Sequence, residues 1–186
     1  MAVRCEAFMK RTCLSAILLT LGCVASIAVP AQLTGKSVVI AWTENRTQRT
    51  VESGKILQVS NNFQASIYIG STGRLFTRVA VNGTRGTGSH DQVGEGGTNQ
   101  SGGASVAQLN GNSLVINSAF SGGARHVEAN FDSGFSSCSA KVILGKANAG
   151  GTFRMKSLIN GKEIEVLSST VGAASCSIHT GNVFAN

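Results

Sequence analysis

Residues 63–81 read FQASIYIGSTGRLFTRVAV, and apolar and polar side chains alternate in both halves of this stretch. Because successive side chains of a β-strand point to opposite faces, each half predicts a strand with one apolar face. The residues that share the apolar faces are Phe63, Ala65, Ile67, Ile69, Leu75, Val79 and Val81. Such one-sided strands are typical of antiparallel sheets that cover a core with one face.

Similar short runs recur along the chain, separated by Gly and Asn, and no window of helical length has apolar residues at three- and four-residue spacing. The predicted strands cover residues 37–42, 47–52, 55–60, 63–69, 74–81, 105–109, 112–118, 124–131, 137–144, 152–158, 162–168 and 172–179. A set of roughly ten to twelve short strands predicts an all-β fold, an antiparallel β-sandwich, with a β-barrel as the alternative.

The alternation is absent from residues 82–104, which are rich in glycine and nearly devoid of apolar side chains. Loops longer than about 12 to 15 residues are uncommon in compact domains and are usually functional or disordered. We therefore expect residues 82–104 to form one long flexible glycine-rich loop, because their burial cannot offset the entropy of ordering them.

Residues 1–31 have the organisation of a secretory signal peptide, with basic residues first and then an uncharged stretch over residues 13–28. We expect cleavage after Ala31, which leaves residues 32–186 as a single all-β domain that is secreted or periplasmic and has no membrane span. An uncleaved anchor is one alternative, but the uncharged stretch is short for a span of about 20 residues. Lipidation at Cys23 is another, although the residues before it depart from the bacterial lipoprotein pattern.

Two cysteines, Cys138 and Cys176, remain after the expected cleavage. Two cysteines in an exported chain most simply form one disulfide. Both also lie on the apolar parity of their strands, Cys138 with Val142 and Cys176 with Ile178. We therefore predict a disulfide between them, and two free buried thiols are the alternative.

The expected mature domain is basic. Residues 32–186 contain thirteen Lys and Arg against eight Asp and Glu, a net charge of +5 that is spread along the chain without a run. This charge favours anionic partners without identifying one. Aromatic residues are few and mostly at core positions, so we do not expect the base-stacking surface of a nucleic-acid-binding protein.

We find no catalytic or cofactor motif in the sequence. Ser89-His90-Asp91 has the residue types of a catalytic triad, but three consecutive residues rarely converge in the hydrogen-bonding order that a triad needs. The glycine-rich segments 83–88 and 94–97 lack the Gly-Lys-Ser/Thr sequence and the strand-to-helix context of a phosphate loop. No cofactor is therefore expected.

Two pairs of polar residues could be mistaken for functional sites. His126 and Glu128 share a strand face and could supply two metal ligands, but a site needs three or four. Glu163 and Glu165 also share a face, at about 7 Å, where the paired carboxylates of a glycosidase could lie. We interpret both pairs as solvent-facing and predict no metal site and no catalytic residue.

The candidate ligand-binding residues are Arg74, Phe76 and Arg78, on the face opposite Leu75, together with Arg85 in the expected loop. An exposed aromatic ring between two arginines could stack on sugar rings and pair with anionic groups. The alternative is that Phe76 packs against a second sheet or a loop.

Export, basic charge and the absence of a catalytic motif lead us to expect a non-catalytic binding module for an anionic cell-envelope polymer or glycan. One alternative is a structural or adhesive subunit that assembles through exposed strand edges. Another is a hydrolase whose catalytic residues are distant in sequence.

Overall fold

The computed structural model describes residues 29–95, 106–120, 123–146 and 152–185. This part of the chain forms eleven β-strands and no helix. The strands are β1 (Lys36–Thr50), β2 (Ile56–Ile69), β3 (Arg74–Gly83), β4 (Gly86–Glu95), β5 (Val106–Asn110), β6 (Ser113–Phe120), β7 (Gly123–Phe131), β8 (Cys138–Lys146), β9 (Phe153–Lys156), β10 (Glu163–Val171) and β11 (Ser175–Thr180). All strand pairs are antiparallel, which confirms the predicted fold class.

The strands form two sheets. Seven strands make a sheet in the order β4-β3-β2-β1-β10-β9, in which β11 also pairs with β1, and this sheet curls into a half-barrel. The long β1 has two partners along the edge that faces away from β2: residues 36–41 pair with β11, and residues 44–50 pair with β10. The second sheet has the order β5-β6-β7-β8.

The main core lies between the concave face of the half-barrel and the second sheet. Its larger members from the half-barrel are Val38, Ile40, Trp42, Phe63, Ile67, Ile69 and Leu75, and those from the second sheet are Leu109, Leu114, Ile116, Val127 and Phe131. All seven residues that the sequence assigned to the apolar faces of 63–81 are buried. Each large aliphatic side chain contributes about 1.5 to 3 kcal/mol by leaving water.

The disulfide between Cys138 and Cys176 is confirmed, with Cα atoms 5.6 Å apart. Cys138 begins β8 of the second sheet and Cys176 lies in β11 of the half-barrel, so the bond links the two sheets. Both cysteines pack against the main core, as their parity indicated.

Two predicted breaks between strands do not exist. Residues 37–42 and 47–50 both belong to β1, while residues 51 and 52 lie in the turn that follows it. Residues 56–60 and 63–69 both belong to β2. The apolar pattern is interrupted at Glu44, a charged residue at a buried position of β1. The backbone pairing continues through it, since β1 and β2 stay in register from Ser37↔Tyr68 to Arg49↔Ile56.

The structure corrects the expected loop over its first part. Gly86–Glu95 form β4, which pairs with β3, while residues 96–104 lie outside the described residues. A Cβ atom added at Gly88 would lie 2.0 Å from the carbonyl oxygen of Leu158. Glycine is therefore needed at position 88 for close approach of the β9–β10 turn to the strand.

Replacing Gly88 with Ala should destabilise the protein by about 1 to 3 kcal/mol, because the backbone of the β9–β10 turn must move to admit the methyl group. Gly134→Ala is the matched control, since a Cβ atom there would meet nothing closer than 3.9 Å. Urea denaturation of both variants measures the difference. Equal midpoints for the two variants would contradict the close approach.

The predicted signal peptide lies outside the described residues up to residue 28, and its cleavage stays a prediction. Within the ranges that the structure describes, no helix is long and apolar enough to cross a membrane.

Candidate functional site

The inward face of β1 changes from apolar to charged along the strand. Val38, Ile40 and Trp42 belong to the main core, but the next two residues with the same parity, Glu44 and Arg46, are equally buried. Burial of charged side chains is costly unless they are paired and hydrogen-bonded. Glu44 and Arg46, in the second half of β1, therefore require charged and hydrogen-bonding partners.

Glu44 is fully buried and accepts hydrogen bonds from three side chains. Its Oε1 accepts from Trp42 Nε1 at 2.9 Å and from Arg125 Nε at 2.8 Å. Its Oε2 accepts from Arg125 Nη2 at 3.1 Å and from Arg46 Nη2. We call Trp42, Glu44, Arg46 and Arg125 the Glu44 cluster; it joins β1 to β7 of the second sheet.

The Phe63 ring lies against this cluster. It stacks on Trp42 with centroids 5.3 Å apart and planes 8° from parallel. The guanidinium carbons of Arg46 and Arg125 lie 5.3 and 4.7 Å from its centroid, within the range of cation–π attraction. The aromatic ring thus stabilises two cations that a single carboxylate cannot neutralise.

Arg46 is incompletely paired. Its Nε is buried without a hydrogen-bond partner, and its Nη1 donates only to the thioether of Met155 at 3.5 Å, a weak acceptor. Burial, and secondarily the charge of Arg125, lower the pKa of Arg46 to about 9. Burial lowers the pKa of Arg125 to about 10. Both stay protonated at neutral pH, so the four side chains of the Glu44 cluster together contain two cations and one carboxylate.

Arg46 also lines a cavity of about 260 Å³ on the concave side of the half-barrel. The walls come from β1, β2, β9 and β10, and from the β9–β10 turn. Four cationic side chains line it: Arg46, Lys55, Arg85 and Lys162. Amides and hydroxyls include Gln48, Thr50, Asn61, Ser157 and Asn160, and apolar side chains include Leu57, Val59, Met155 and Ile164. No carboxylate among the described residues lines the cavity.

Strand parity explains how these residues meet. Arg46, Gln48 and Thr50 follow each other at every second position of β1, so all three point to the concave side. Arg85 lies in the turn between β3 and β4, and Lys162 directly precedes β10. Three of the four cations, Arg46, Lys55 and Lys162, were not among the residues predicted from the sequence. For Arg46 a signal was available, because the charged residues at positions 44 and 46 continue the buried apolar parity of β1.

The structure separates the four residues proposed from the sequence. Phe76 is half-buried on the outer face of β3, its ring 6.1 Å from that of Tyr68, and Arg78 lies over the Phe184 ring at 5.2 Å. Arg74 is exposed at the start of the strand. Arg85 lies just beyond the opposite end of β3, a strand that spans about 30 Å at ~3.3 Å per residue. Of the four residues, only Arg85 lines the cavity.

The other polar pairs lie at the surface. His126 Nε2 is 3.5 Å from Glu128 Oε2, and Glu165 pairs with Arg49 at 3.3 Å. His90, of the Ser-His-Asp run, is placed in β4, opposite Val79. Among the side chains that the structure describes, no three His, Cys, Asp or Glu residues could hold a metal ion together.

Comparison of the chain with protein-family models, with curated proteins and with solved structures finds no match, so the case for this site depends on its geometry alone.

Proposed function

We propose that the domain is a non-catalytic binding module for an anionic glycan or a related polymer of the cell envelope, and that it binds this ligand in the half-barrel cavity. The observation behind the proposal is a cavity wall with four cationic side chains and, among the described residues, no carboxylate. Concave sites lined by one sign of charge focus the electrostatic field and attract the opposite charge.

The cations differ in their surroundings. Arg46 is buried at the inner end of the cavity, whereas Lys55 and Arg85 are exposed. Lys162 is partly neutralised, because its Nζ lies 2.9 Å from the exposed carboxylate of Glu52. Attraction at the mouth therefore depends mainly on Lys55 and Arg85, and it should weaken with salt because exposed charges are screened.

The remaining wall suits a sugar. The amides of Gln48 and Asn61 and the hydroxyl of Ser157 can exchange hydrogen bonds with sugar hydroxyls. Leu57 and Ile164 offer apolar surface for the carbon-bound hydrogens of a sugar ring. Binding sites for small ligands commonly combine such apolar walls with a few convergent polar groups.

The outer face of β3 remains a second candidate surface for the same ligand class. Arg74 and Arg78 are exposed there, and Phe76 is half-buried between them. Export belongs to the proposal as well: a secreted or periplasmic location agrees with the disulfide, since such bonds persist in oxidising compartments.

A charge-matched pair of double variants tests which surface binds. Lys55→Ala/Arg85→Ala and Arg74→Ala/Arg78→Ala each remove two positive charges, so a purely long-range effect is the same in both. We expect the first to weaken binding of an acidic polysaccharide about tenfold, or about 1.4 kcal/mol, and the second less than threefold. Calorimetric titration at low and physiological salt measures both.

The outcomes separate the alternatives. A larger loss in the Arg74/Arg78 variant would move the site to the outer face of β3, and equal losses would indicate non-specific attraction. Absence of binding to every acidic polysaccharide at low salt would refute the proposed function. A structural subunit that assembles through strand edges would then be the better proposal, and concentration-dependent size-exclusion chromatography would test it.

A further inference from the structure

We propose that the inner end of the cavity is a subsite for one acidic sugar residue, whose singly charged carboxylate or sulfate ester pairs with Arg46. This inference depends on the proposed function and narrows its ligand class. It predicts recognition of one acidic residue at a time, at a chain end or on a side branch, in addition to general attraction to a polyanion.

The single charge of Arg46 suits a ligand group with one negative charge. Arg46 shares the Glu44 carboxylate with Arg125, and no carboxylate among the described residues lines the cavity. A group with one negative charge can therefore pair with Arg46 from the cavity. A doubly charged phosphate monoester would lose more solvation energy in the same buried position, which is unfavourable. The subsite should therefore prefer monoanions.

Arg46 has donors to offer such a group. Its side chain is only 3% exposed, its Nε has no partner, and its Nη1 has only the thioether of Met155. Both Arg46 and Met155 line the cavity, so a ligand oxygen there can replace the sulfur as acceptor. Guanidinium pairs strongly with planar carboxylates through two parallel hydrogen bonds, and sulfate oxygens offer similar acceptors.

The dimensions favour a single sugar residue. A volume of about 260 Å³ lies just below the ~300 to 1,000 Å³ of typical small-ligand pockets. A cavity of this size suits one sugar ring with its substituents. Gln48 and Asn61, among the lining residues, can bind the ring hydroxyls while Val59 contacts its apolar edge.

Trp42 provides a built-in reporter for this subsite. It is the only tryptophan of the chain, and its Nε1 donates to the same carboxylate that pairs with Arg46. An anion that binds Arg46 changes the electrostatic field at the indole ring and therefore its emission. An anion that binds only at Lys55 and Arg85 leaves this network untouched.

The experiment titrates the protein with four small sugars at pH 8 and follows Trp42 fluorescence. The probes are methyl glucuronoside, glucose 6-sulfate, glucose 6-phosphate and neutral methyl glucoside. We expect saturable emission changes with the first two, at least tenfold weaker binding of the neutral sugar, and weaker binding of the phosphate, which is doubly charged above its second pKa of about 6. A difference between the carboxylate and the sulfate identifies the acidic group that the subsite prefers.

Arg46→Met should abolish this response or weaken it at least tenfold, with Arg49→Met as the control on the outer face of the same strand. Glu44 keeps its bonds from Trp42 and Arg125 in Arg46→Met, so the variant should fold, which circular dichroism checks. If this variant does not fold, Arg46→Lys takes its place. The comparison of neutral and acidic sugars in the unmodified protein tests the inference in either case. Equal affinity for neutral and acidic sugars, or an unchanged response in the folded Arg46 variant, would overturn the inference.

The two proposals can fail separately. If an acidic polysaccharide binds in a manner sensitive to Lys55 and Arg85 but not to Arg46, the binding function stands and the inner subsite does not exist. If neither the polysaccharide nor any small acidic sugar binds, both proposals are wrong.

Discussion

Replacing Glu44 with Gln is expected to destabilise the protein by about 3 to 5 kcal/mol, because it removes the buried carboxylate that Arg46 and Arg125 share. Glutamine also has one acceptor oxygen where the carboxylate has two, so donors from the two arginines and Trp42 compete for it. A loss of this size is a large part of the ~5 to 15 kcal/mol by which domains are stable. Urea denaturation followed by circular dichroism measures it.

Glu165→Gln is the matched control. Glu165 also pairs with an arginine, but the side chain of that partner, Arg49, is 46% exposed. The control should therefore cost less than about 1 kcal/mol. The double variant Glu44→Gln/Arg46→Met should recover part of the loss, since it also removes one of the two buried positive charges that Glu44 balances. Similar effects of Glu44→Gln and Glu165→Gln would mean that the Glu44 cluster is not the buried ion network described here.

Strand parity made most of the fold predictable. In a strand with one buried face, a shift by one residue would move the whole apolar set into water, so the pattern determines which residues are inside. Phe63, Ile67 and Leu75 are all buried as their parity indicated. The same argument placed Cys138 and Cys176 on core faces, where the disulfide is found.

Strand parity could not predict the Glu44 cluster, because the residues that pair in it are distant in sequence. A charge in an alternating run is normally assigned to the solvent face, and Glu44 is buried only because Arg125, 81 residues later, reaches it from the second sheet. Arg85 was recognised as a ligand candidate, but that it lines the same cavity as Lys162 depends on sheet curvature that alternation does not encode.

Glycine content misled the prediction at β4 for a related reason. Glycine is depleted from most strands, so a glycine-rich stretch without apolar residues normally indicates a loop. Gly88 instead lies in a strand, and glycine is required there because the carbonyl group of Leu158 occupies the space where a side chain would be. A close approach between segments 70 residues apart leaves no local pattern in the sequence.

Replacing Cys138 and Cys176 together with Ala is expected to destabilise the protein by about 4 kcal/mol, the chain-entropy estimate for a disulfide with a sequence separation of 38 residues. Within the described residues, β11 hydrogen-bonds only to β1, and the disulfide is its covalent link to the second sheet. Its amides should therefore lose protection from hydrogen exchange before those of β2 and β3. Denaturation of the unmodified protein with and without a reductant is the control and should give the same difference. A loss below about 1 kcal/mol, or uniform loss of protection across the half-barrel, would show that packing alone holds β11 in place.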